Sequence, residues 1–205
     1  MRSNFEYGTP AGSLADGNQT FTTAGRARVG AKGELKTANV LRLIQKSRKE
    51  DKRFTVIHDL MAPSDRYTAN IDHLVIAGKT VIVLDSKVWT PSWYISAFGK
   101  VWVLRPKSIV SEDSKRFDRF EPGEKRTVPM LVNLMRDYFG YNVIVNGALV
   151  VWPSRDNMRA HLALYHPKDQ LRAIDGNHSH RALRSIIPMQ AADPVVLYQA
   201  LQLLK

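Results

Sequence analysis

Apolar residues recur along this chain with two periods, and the change from one to the other marks out its elements. Between residues 29 and 48, Leu35, Ala38, Leu41 and Ile44 return at spacings of three, which predicts a helix whose outer face carries Lys36, Arg42, Lys46, Arg48 and Lys49. A strand follows over 54–60, then a loop over 63–68. Two further strands, 70–77 and 80–88, are joined by Gly78-Lys79, and a second hairpin over 93–104 turns at Gly99-Lys100. Residues 105–127 are highly charged and read as a surface loop, 129–139 as an amphipathic helix, and 142–152 as a buried strand, because apolar residues run almost unbroken there. Beyond Pro153 a strand over 161–166, a short helix over 179–187 and a helix over 194–204 are expected. Asp193 is the expected N-cap of the last helix, with Pro194 in its first turn. This order predicts the α/β class, with a central mixed sheet flanked by helices. Residues 1–25, rich in Gly, Ser, Thr, Asn and Asp, read as a flexible arm. The expected plan is that arm, a core over 26–152, and an α/β extension over 153–205 packed on the core.

Composition narrows the functional classes. An apolar fraction of 44 % supports a packed core, and no run approaches the ~20 apolar residues of a membrane span. The first residues hold one arginine and no apolar stretch, so a secretory leader is not expected and the cytoplasm is the expected compartment. With no cysteine, this sequence forms no disulfide, thiolate zinc site or cysteine nucleophile. A net charge of +11 points to a polyanionic partner, nucleic acid before anionic lipid, although a merely soluble basic protein carries such an excess too.

Register supplies the candidate chemistry. If Gly78-Lys79 is a two-residue turn, Ala77 faces Thr80, Asp72 falls opposite Asp85, and Asn70 falls opposite Lys87. Residues two apart on a strand share a face, so Asp72, Asp85 and Lys87 point the same way. Opposed carboxylates about 5 Å apart repel and need compensation. A hard divalent cation supplies it through oxygen ligands, and a neighbouring lysine adds to it. Asp85-Ser86-Lys87 also follows Val81-Ile82-Val83-Leu84, whose lack of alternation marks a central strand. A plain Asp85–Lys87 ion pair with a solvated Asp72 explains the same residues, and a register shift of one would send Asp72 to the other face. Glu34 shares the apolar helix face with Ala38 and Leu41, where it needs a partner; a first-turn glutamate favoured by the helix dipole is the alternative.

Three segments in order carry a resemblance: Gly30-Ala31-Lys32-Gly33-Glu34, then Asn70-Ile71-Asp72-His73-Leu74-Val75-Ile76, then Val81 to Trp89 around Asp85-Ser86-Lys87. They resemble the nuclease-related domain (NERD) family of the PD-(D/E)XK nuclease superfamily, over residues 26–104 and extending toward 152. The resemblance implies a restriction-endonuclease-like core and a Mg²⁺- or Mn²⁺-dependent phosphodiesterase acting on DNA. Glu34, Asp72 and Asp85 would be the acidic metal-site residues, the Ser86 carbonyl a further ligand, and Lys87 the catalytic lysine. Asp85 stands where relatives usually show Glu, and the glutamine that relatives often carry on a later helix has no counterpart in 129–139, so a non-catalytic nucleic-acid-binding module on this fold is the alternative. The expected partners are nucleic acid and a helicase or other DNA-processing protein, not a membrane.

Arg26, Arg28, Lys32, Lys36, Lys100, Arg105 and Lys107 flank these segments and are the candidate phosphate contacts. Trp89, Trp93, Tyr94 and Trp102 follow the site and suit cross-strand packing better than base stacking. His73 is expected in the core, His58 near the site, and His178 and His180 in a polar loop. His161 and His166 have no evident partner.

Overall fold

The structure is a computed structural model describing residues 5–12, 21–63, 69–98, 100–110, 115–122, 124–155, 157–166 and 171–204. The side chains of 21–27, 109 and 124–126 lie outside that description, as do the expected 63–68 loop after Pro63 and Gly99 of the second hairpin. In chain order the elements are β1 (Glu6–Tyr7), α1 (Phe21–Lys46), β2 (Thr55–Met61), β3 (Asn70–Ala77), β4 (Thr80–Trp89), β5 (Trp93–Ala97), β6 (Lys100–Leu104), β7 (Phe117–Phe120), α2 (Glu124–Phe139), β8 (Ile144–Pro153), β9 (His161–Leu164), β10 (Arg172–Asp175), α3 (Ser179–Ile186) and α4 (Pro194–Leu201).

A six-stranded mixed sheet in the order β1-β2-β3-β4-β8-β10 forms the centre. Its middle strand β4 runs antiparallel to β3 and parallel to β8, and Val81 to Leu84 are at most 1 % exposed. On one face Leu41 and Ile44 of α1 and Leu183 of α3 pack on Val56, Val75, Ile82, Leu84 and Val150. On the other, Leu131, Val132 and Met135 of α2 and Val196 and Ala200 of α4 join Leu74, Ile76, Val81 and Val83. The predicted mixed sheet with flanking helices is therefore the observed architecture. The second hairpin stands apart from it, in a four-stranded sheet ordered β7-β6-β5-β9 whose inner residues Tyr94, Val101, Val103 and Leu162 extend that second core.

Several local expectations are corrected. The arm expected over 1–25 is structured where it is described: Glu6 and Tyr7 pair with Val56 and Ile57, and α1 already starts at Phe21. Leu35 is 46 % exposed, because the buried stripe of α1 runs through Glu34, Thr37, Ala38, Leu41 and Ile44. Arg48 is buried rather than solvated: its guanidinium donates to the carbonyls of Pro188 (2.6 Å) and Ile187 (2.8 Å), which α3 leaves without helical partners. The charged loop contains β7, where Phe117 and Phe120 supply a strand that charge counting hides. The second hairpin closes at Ala97–Lys100, one residue earlier than expected. Asp193 does cap α4, accepting from the amides of Val195 and Val196.

Candidate active site

The expected register holds: Ala77 pairs with Thr80 and the ladder runs back to His73–Leu84. It stops there, short of the expected Asn70–Lys87 pairing, and Asn70 instead pairs with Met61 of β2. The Ser86 amide, next in line for a ladder bond, donates to Asp72 Oδ2 at 2.6 Å. The strands part at the level where their carboxylates would otherwise collide.

A second interruption lies on the other side of β3. The β2–β3 ladder passes from His58–His73 to Leu60–Ile71, omitting Asp59 and Asp72. Asp59 has φ +54°, and the turn it makes lets Ile57 and Leu60, three apart, enter the same core. Continuing each register, Asp59, Asp72 and Asp85 stand at one level of three adjacent strands. Asp59 is a site residue that the sequence reading missed. Its position mid-strand between His58 and Leu60 gives no sign of a left-handed backbone. Only its place opposite Asp72, where the ladder omits both residues, marks it.

Glu34 joins this row from α1. A Cβ at Gly33 would lie 2.9 Å from Val88 Cγ2, so the glycine brings the helix onto the end of β4 and carries Glu34 with it. Burial, reinforced by the negative charges of Asp59 and Asp85 and opposed by Lys87, pushes the Glu34 carboxyl up to about 7. The Ala11 amide donates to that carboxylate. Burial also raises Asp72 well above the usual range, with Asp85 and Glu34 adding to it and Lys87 and the Ser86 amide opposing. Lys87 Nζ lies 2.8 Å from Asp85 Oδ1. Two oxygens in this buried cluster, Glu34 Oε2 and Asp85 Oδ2, have no hydrogen-bond partner among the described residues. Among the described residues no three His, Asp or Glu side chains already converge as a metal cage. The donor set nevertheless suits a hard divalent cation: carboxylate oxygens, crowded, partly neutralised by one lysine, with two of them unsatisfied.

The surroundings hold the acids in place. Thr37 Oγ1 accepts from Ser86 Oγ (2.8 Å) and Trp152 Nε1 (2.9 Å) and donates to the Gly33 carbonyl. Trp152 is pinned in turn by Gly176, where a Cβ would lie 2.5 Å from two ring carbons. Gly176→Ala is expected to destabilise the protein by about 1–3 kcal/mol. The effect should appear as a lower urea midpoint with unchanged slope; an unchanged midpoint would show that the ring is free to move.

Behind the acids lies a buried imidazole pair. His58 Nε2 meets Glu6 Oε1 at 3.0 Å and His58 Nδ1 meets His73 Nδ1 at 2.7 Å. Burial lowers the pKa of both rings, so both are neutral. Since the Glu6 carboxylate only accepts, His58 donates to it from Nε2. Arg42 clasps Glu6 with Nε and Nη2, which lowers the Glu6 pKa and ties β1 to α1. His73 thus lies in the core as expected. His58 supports the site from behind.

Of the candidate phosphate contacts, Arg28 and Lys32 are exposed on α1, and half-buried Lys36 lies over the Trp152 ring at 5.4 Å. The Arg26 side chain lies outside the described residues. Lys100 and Lys107 are exposed beside the small sheet, and Arg105 donates to the Lys115 carbonyl at 2.7 Å. His178 meets Asp175 and His161 stacks on Trp93, both outside the acid cluster.

Carboxylates and a lysine thus gather at the interrupted end of a central mixed sheet. Residues 29–122, just under half of the chain, match the family model of the nuclease-related domain, NERD. Glu34, Asp59, Asp72, Asp85 and Lys87 all fall within the match. No curated protein and no solved structure matches the chain.

Proposed function

We propose that this protein is a metal-dependent nuclease that hydrolyses phosphodiester bonds in DNA. The observation that carries the reading is the pair of buried carboxylate oxygens without partners among the described residues, Glu34 Oε2 and Asp85 Oδ2, beside Lys87 and the raised Asp72. Glu34, Asp72 and Asp85 would hold Mg²⁺ or Mn²⁺, with the Ser86 carbonyl as a further oxygen. When bound, the ion would supply Lewis acidity toward the phosphate and make a bound water more acidic than bulk water. Lys87, 37 % exposed at its side chain, reaches solvent from Asp85 and places its ammonium where a phosphoryl group gains negative charge in the transition state. Asp59 raises the negative potential at Glu34 and so favours the cation there. Arg28 and Lys32 extend positive charge outward along α1 toward the nucleic-acid backbone.

A second reading, a non-catalytic nucleic-acid-binding module, is favoured by the Lys87–Asp85 contact, which neutralises one of the acids without a metal. Supercoiled, linear and single-stranded DNA incubated with Mg²⁺, Mn²⁺ or EDTA separates the two. Cation-dependent cutting of any substrate is the expected result, and its pattern distinguishes endonuclease from exonuclease. DNA binding without cutting under every condition would favour the binding module.

A further inference from the structure

Alternation divides the aromatic residues of the small sheet between its two faces. Trp89, Tyr94, Phe120 and Tyr165 form a buried cluster beneath it, with ring centroids 4.6–5.5 Å apart. Trp93, Trp102, Phe117 and His161 stand on the outer face. Trp93 stacks on His161 at 4.7 Å with ring planes 10° apart, and Trp102 on Phe117 at 5.2 Å with planes 4° apart. Trp93 is 42 % and Phe117 52 % exposed. The cross-strand packing expected of all these rings thus holds for both faces, but only one face is buried.

We infer that this outer face is a stacking platform for single-stranded nucleic acid, which it delivers to the acid cluster; the delivery rests on the nuclease reading, the platform does not. Two observations select the occupant. Nearly parallel, half-exposed rings match the flat faces of unpaired bases, which extend such stacks irrespective of sequence. The rim is basic on balance: from 93 to 121 the sequence sets Lys100, Arg105, Lys107, Lys115, Arg116 and Arg119 against Glu112, Asp113, Asp118 and Glu121. That excess is complementary to a phosphate backbone rather than to a neutral protein surface. A duplex hides its base faces and cannot use the rings. Only five residues separate Trp93 from Lys87, a span of at most about 22 Å. That is roughly six stacked nucleotides at ~3.4 Å each, so one short strand reaches both.

Fluorescence anisotropy of dye-labelled dT12, U12 and a dT12·dA12 duplex, in EDTA at fixed salt, tests the platform. Trp93→Leu and Trp102→Leu keep apolar bulk but lose the π face, and each is expected to weaken dT12 binding about 10-fold. Trp93→Phe is expected to recover most of the loss. U12 binding weakened by the same leucine variants would support stacking without regard to the sugar. Leucine variants that unfold at the wild-type temperature and bind dT12 as wild type would overturn the proposal. So would a duplex bound more tightly than dT12 and unaffected by these substitutions. A homodimer in sedimentation that the leucine variants dissolve, with dT12 affinity unchanged, would assign the face to a second copy. Wild-type protein that binds dT12 through the rings yet cleaves nothing with Mg²⁺ would end the nuclease reading alone; cleavage with ring-independent binding would end the platform alone.

Discussion

Lys87→Ala is expected to lower cation-dependent DNA cleavage by at least about 10²-fold, the scale of losing one preorganised charge donor at a developing oxyanion. DNA affinity in EDTA should change little, because the chain's excess of basic residues is spread widely and one phosphate contact contributes modestly. Lys87→Arg should restore only part of the rate: the planar guanidinium keeps the charge but not the compact geometry by which Nζ sits 2.8 Å from Asp85 Oδ1. Single-turnover assays at saturating protein isolate the chemical step from binding. Wild-type cleavage by Lys87→Ala would remove the lysine from the mechanism and leave the Asp85 contact as a structural ion pair.

Glu34→Gln is expected to stabilise the metal-free protein at pH 7.5 while removing its response to divalent cations. A carboxyl raised from 4.5 to about 7 in the fold binds its proton more tightly there than in the unfolded chain. The stability associated with that proton is complete below about pH 4.5 and is lost as pH rises through about 7. Asp72, raised for the same reason of burial among like charges, acts in the same direction. His58 and His73, held neutral by burial, act oppositely, since acid must charge them. The difference between Glu34→Gln and wild type isolates the Glu34 contribution, on the order of 2 kcal/mol between pH 5 and 7.5. Saturating Mg²⁺ or Mn²⁺ should offset it, raising the wild-type Tm by roughly 5–10 °C at a concentration about 100 times Kd. Asp85→Asn should lose the cation response as well. Equal pH profiles for Glu34→Gln and wild type, or a cation shift surviving in both variants, would refute the metal site.

Hydrophobic periodicity in the sequence was enough to identify the central sheet, its buried strand β4 and the helix bearing Glu34. A two-residue turn at Gly78-Lys79 leaves one register, and that register alone sets Asp72 against Asp85. These are local determinants: period, turn length and residue type act within a few positions of one another. The N-terminal segment was not legible in this way. Glu6 forms a strand only because Arg42, 36 residues away, and the β2 edge, farther still, await it. The reach of the charged segment 105–127 into β7 was hidden for the same reason, since Phe117 and Phe120 form a strand by pairing with β6. Asp59 is the most informative case. Its identity is plain in the sequence, but its left-handed backbone and its place beside Asp72 exist only once β2 and β3 pair and skip a step. The partition of the tryptophans follows the same logic: alternation separates Trp93 from Tyr94, and the packing of the small sheet decides which of them the core receives. Residue type and local pattern placed Glu34 on its helix and Asp72, Asp85 and Lys87 on their strands. Tertiary structure decided which acids share one level, which rings face solvent and how far Glu34 is driven from its ordinary pKa, because desolvation and like-charge proximity arise only between segments brought together by the fold.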